Sequence, residues 1–176
     1  MLGVRRCHSG RRLAVESSER LMLGIWLSCL LPTICAYAIT PEPAVSMEGL
    51  IRKDYERLTG TFQLASGVID GKPVLEDIRK ETKLVTDMNK FTVSAGGQAG
   101  TSGAGTFTID PTKSPKTVDS LQAIGPEKGK TLLGIYEIID DNRKRACWAP
   151  VGRARPTAFT SEPGSGYILQ LWERIK

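Results

Sequence analysis

The chain has 176 residues, 40% of them hydrophobic, 24% charged and 6% aromatic, with a formal charge of +5. That length suits one domain plus a leader, or two very small domains. The sole histidine is His8, and five Arg against two Glu precede Ala38, so the rest of the chain lacks imidazole chemistry and is too evenly charged to read as a nucleic-acid binder.

Arg5, Arg6, Arg11, Arg12 and Arg20 precede an apolar run from Leu21 to Leu31, which Pro32 and Thr33 break. Ala36-Tyr37-Ala38 follows. A charged start, a short apolar stretch and small residues at −3 and −1 are the order of a secretory signal peptide. The expected cleavage is after Ala38, against the alternative of a retained anchor. The run is shorter than the ~20 apolar residues of a membrane span, so no stable span is expected after cleavage. Arg11-Arg12 imitates a twin-arginine signal, but Glu16 and Glu19 separate it from the apolar run. Cys35 follows Ile34 rather than the small residue that a lipid-modified Cys needs. Export places the protein in the periplasm, the cell envelope or the extracellular space.

Cleavage removes Cys7, Cys29 and Cys35 and leaves Cys147 alone. A single Cys excludes an internal disulfide and a Cys-rich zinc site. In the strand-like run RKRACW it reads as a small buried hydrophobe, with an intermolecular disulfide left open.

Residues 39–46 form a Pro-bearing linker, and the domain is expected over 47–176. Met47, Leu50, Ile51, Tyr55 and Leu58 recur at helical spacing behind Ser46, a plausible N-cap, which predicts a short helix over 47–58. From Gly60 onward, short β-branched or aromatic runs alternate with Gly and Pro. Strands are expected at 61–69, 83–86, 90–94, 106–109, 116–121, 131–139, 143–148, 157–160 and 167–174, with a helical turn at 77–81. No helical pattern is long enough for a βαβ crossover. A single antiparallel barrel of eight or nine strands is the economical solution, because closure removes the edges.

The candidate motifs mostly fail on context. Gly125 to Thr131 imitates a phosphate loop but has three residues between its glycines and opens a strand, not a helix. The glycine-rich stretch 96–105 joins two strands, so it reads as a hairpin loop. Gly164-Ser165-Gly166 lacks the spacing of a nucleophile elbow. Asp140-Asp141, followed by Arg143, Lys144 and Arg145, reads as a charged hairpin with solvated edge charges rather than a metal, glycosidase or anion site. No catalytic, cofactor-binding or metal-ligating residue is assigned, and no transition metal, cofactor or hydrolase activity is expected.

The blocks LTGTFQLASGVIDGKP, KFTV, GTFTIDPTKSPKTVD, GPEKGKTLLGIYEI and RPTAFTSEPGSGYILQLWER, in that order, resemble a domain family of planctomycete secreted proteins. The resemblance covers about Leu58 to Arg174. It implies export and a β-rich fold but no activity, and the family usually has Trp where this chain has Phe62. A wider likeness is to lipocalin-like barrels, which open on G-x-W and carry an Arg late in the last strand that packs across the Trp. Gly60-Thr61-Phe62 and Arg174 stand at similar places, so this likeness implies that Phe62 and Arg174 close one barrel end. An ordinary strand start and a terminal basic residue explain them equally well.

Two roles are carried forward. One is a non-enzymatic module binding a small apolar ligand, with Leu64, Val68, Phe107, Ile135 and Tyr136 lining the interior. The other is a structural or interaction module of the cell envelope, with a filled core and loops 96–105 and 150–156 meeting an envelope protein.

Overall fold

The computed structural model describes residues 46–95 and 102–175. The expected leader, its cleavage point after Ala38, nearly all of the linker and residues 96–101 of the 96–105 loop lie outside these residues. The chain divides near Thr40, and all described residues belong to the second part.

Helix α1 (Met47–Leu58) starts where the Ser46 side chain accepts a hydrogen bond from the Gly49 amide at 3.1 Å, satisfying one of the amides a helix start leaves unpaired. The Thr59 hydroxyl donates to the Tyr55 carbonyl at the other end. The helix buries Asp54 and Leu58. Met47, expected on the inner face, is exposed, because Ile51, Tyr55 and Leu58 in the later turns make the apolar contacts.

The rest is β1 (Gly60–Ile69), β2 (Lys72–Pro73), α2 (Glu76–Glu81), β3 (Lys83–Asp87), β4 (Lys90–Ser94), β5 (Gly103–Asp110), β6 (Lys116–Gln122), β7 (Thr131–Ile138), β8 (Arg143–Trp148) and β9 (Ile168–Arg174). Strands β1 and β3 to β9 pair antiparallel in succession, and β9 returns to β1 from Ile69↔Ile168 to Phe62↔Arg174. The result is a closed antiparallel barrel of 8 strands, with β2 as one extra strand and a helix in front. Closure gives every wall strand a partner on each side, so no long edge is left to pair with another chain. The β1–β2 turn places Asp70 and Gly71 at φ 50° and 78°, the left-handed region that Asp and Gly tolerate best.

Alternation along the strands sorts the side chains. Phe107 and Ile109 of β5, Val118 of β6 and Tyr136 of β7 pack with Leu58 of α1. A second cluster joins Phe62, Leu64 and Trp172, with Val74 and Leu84 against it. The α1 end of the barrel therefore has a packed floor. The expected strand at 157–160 does not form. This segment instead covers the outer face of β8, where the Thr160 carbonyl accepts from Cys147 Sγ at 3.2 Å and Phe159 lies 4.2 Å from the Arg145 guanidinium. Strand β8 is already paired on both sides, so no edge remains for a further strand.

Candidate ligand cavity inside the barrel

Above that floor the barrel is not filled. A cavity of about 210 Å³ runs from Leu58, Thr86 and Lys144 at the α1 end toward Gln122, Leu132 and Ile168 at the other. Its wall is mostly apolar, with Phe91, Phe107, Tyr136, Trp148 and Trp172 as its aromatic residues. The polar side chains on the wall are largely paired with each other. Gln122 Nε2 donates to Ser120 Oγ at 2.8 Å, and the Trp148 indole donates to Gln170 Oε1 at 3.2 Å. An apolar cavity with a few placed polar groups is the usual composition of a small-molecule site.

Of the five residues expected to line it, Phe107 and Tyr136 do. Leu64 lies in the floor cluster under Trp172. Val68 does not line the cavity. Pairing between β1 and β9 steps from Leu64↔Trp172 to Ser66↔Leu171, and the extra residue reverses the faces beyond it. Ile135 is 1% exposed but not on the cavity wall. It is next to Tyr136 in the strand and so points to the opposite face, in register with Cys147.

Phe62 and Arg174 are in contact at the α1 end, with the guanidinium carbon 4.5 Å from the ring centre. Arg174 donates to three backbone carbonyls: Thr59 at 2.8 Å, Arg57 at 2.9 Å and Asp141 at 3.0 Å. It thereby satisfies carbonyls that the end of α1 leaves open. Gly60 makes room for it, since a Cβ there would stand 2.0 Å from Arg174 Nη1.

Two residues that carry this end are given no inward role by the sequence, Asp54 because it falls outside the named candidates and Lys144 because it reads as a solvated edge charge. Asp54 is buried and accepts from Lys116 Nζ at 2.6 Å and from the Tyr136 hydroxyl at 2.7 Å. Burial and that carboxylate push the Tyr136 phenol well above its usual range. The signal was a charged residue at helical spacing between Ile51 and Leu58. Lys144, expected among solvated edge charges, is 7% exposed and points inward. Its Nζ donates to the Leu58 carbonyl at 2.9 Å and to Thr86 Oγ1 at 3.3 Å, and lies 3.6 Å from the Phe62 ring centre. Burial first, and then the Arg174 charge, bring its ammonium down to about 7. Here the signal was period two, because Lys144 is in phase with Ala146 and Trp148 while Arg143 and Arg145 face out. Those two arginines pair with Asp140 at 2.7 Å and with Glu137 at 2.5 Å.

The chain matches no family model, no curated protein and no solved structure. Among the described residues, no group of three or more His, Cys, Asp or Glu is placed to hold a metal ion. No helix among them is long and apolar enough to cross a membrane.

Proposed function

We propose that this protein is an exported, non-enzymatic barrel that holds one small, mainly apolar ligand in its interior. The carrying observation is the cavity of about 210 Å³ in a closed barrel with an apolar wall. A dry, engineered cavity of ~150 Å³ takes up benzene or xenon, so this space suits a compact ligand rather than a large one. An eight-stranded barrel has an interior just wide enough for side chains or for one such molecule. Export rests on the leader pattern before Ile39, and the lack of enzymatic activity on the absence of imidazole after His8.

Mass spectrometry of the protein recovered from its natural host tests both parts. Under denaturing conditions the mass should correspond to a chain beginning at Ile39. Under native conditions the same sample should carry one additional small molecule per chain. A full-length mass would remove export. A native mass equal to the bare chain, with a protein partner co-purifying instead, would favour the envelope module.

A further inference from the structure

Lys144 is the one cation on the cavity wall without an acidic partner among the described residues. The acidic groups nearby are already engaged: Asp54 by Lys116 and Tyr136, Asp140 by Arg143, Asp141 by Arg57 and Glu137 by Arg145. Lys144 Nζ instead meets a carbonyl from α1, a hydroxyl from β3 and the Phe62 ring from β1. The charge that bears on it is another cation, Arg174 of β9, which leans on the same ring and, among the described residues, donates to backbone carbonyls. The closed end of an apolar cavity thus holds a basic amine with no acidic partner among the described residues.

We infer that the cavity takes an amphipathic monocarboxylate, its carboxylate beside Lys144 and its apolar tail directed toward Leu132 and Ile168. This rests on the cavity being a ligand site, as proposed above. Lys144 is buried already, so pairing adds the desolvation of the ligand carboxylate and, above about pH 7, the cost of charging the amine, which the new ion pair must offset. Its bonds to Leu58 and Thr86 use two of the three donors of an ammonium, and the third turns from the Phe62 ring to the carboxylate when the ligand binds. A lysine that merely stiffened the barrel floor would give no preference among ligands of equal shape. A carboxylate also restores the charged form that burial disfavours, so binding should draw a proton from solvent.

The test compares octanoate with octanol on the full chain by titration calorimetry at about pH 8, in two buffers of different ionisation enthalpy. Octanoate should bind at least about tenfold more tightly than octanol, the scale of one charge-assisted hydrogen bond. It should take up close to one proton, and octanol none. In Lys144→Met the octanoate advantage and the proton uptake should disappear while octanol binding remains. If octanol binds and octanoate shows neither preference nor proton uptake, this inference fails and the cavity reading stands. A preference that survives in Lys144→Met also overturns it. If neither compound binds, both readings fail. Should Lys144→Met not fold, proton uptake by the unaltered chain decides.

Discussion

Lys144 sets a measurable electrostatic signature at the scale of a single side chain. Its ammonium is brought to about 7 in the folded protein, against ~10.4 in an unfolded chain. Below about pH 7 both states hold the proton, and the folded state carries the full cost of burying charge. Between about pH 7 and 9 the unfolded state binds more protons, so stability should rise with pH, by up to roughly 1 kcal/mol per unit. Cys147, Tyr55 and Tyr136 are all raised by burial. They keep protons in the folded state that the unfolded chain loses, which opposes the rise above about pH 9. Urea unfolding of the ligand-free chain across this range should show the increase, and Lys144→Met should abolish it. A flat curve in the unaltered chain would mean that water reaches the amine.

Strands and helices show how far pattern alone carries. The bounds of α1 were legible because Ser46 caps it and its apolar spacing is regular. The same spacing misplaced Met47, which is exposed while Ile51, Tyr55 and Leu58 make the contacts with the core. Periodicity identified most strands but not the face each residue takes. Ile135 and Tyr136 are neighbours in β7 and cannot both face inward, and the β1 bulge that turns Val68 away has no clear mark in LASGVI. The 157–160 segment has strand-like composition, yet the closed wall leaves it no partner. It shields an outer patch around Ile135 and Cys147, which are 1% and 0% exposed. Ile135→Asp puts an unpaired charge there and should destabilise the domain by roughly 3–5 kcal/mol, near the whole stability of a small domain. Thermal unfolding followed by circular dichroism would show a large fall or no transition. A loss within about 1 kcal/mol would mean the patch opens readily to water.

For the whole molecule, the question is whether the barrel is a container or a plug. Barrel closure was legible from the number of short strands and the absence of a crossover helix. The cavity was not, because its volume depends on how side chains from distant strands meet. Trp148 and Trp172 lie on its wall and report on its contents. Val118, 5% exposed, is on the same wall. Val118→Phe should fill part of the space and leave the chain folded, whereas in a packed core the larger ring would cost ~1–3 kcal/mol. The most direct measurement is a tryptophan-emission titration of the full chain and of Val118→Phe with octanol. The account expects saturation at one equivalent in the unaltered chain and a much weaker response, or none, in the variant. An unaltered chain that does not saturate, or a variant that responds equally, would contradict an interior ligand site.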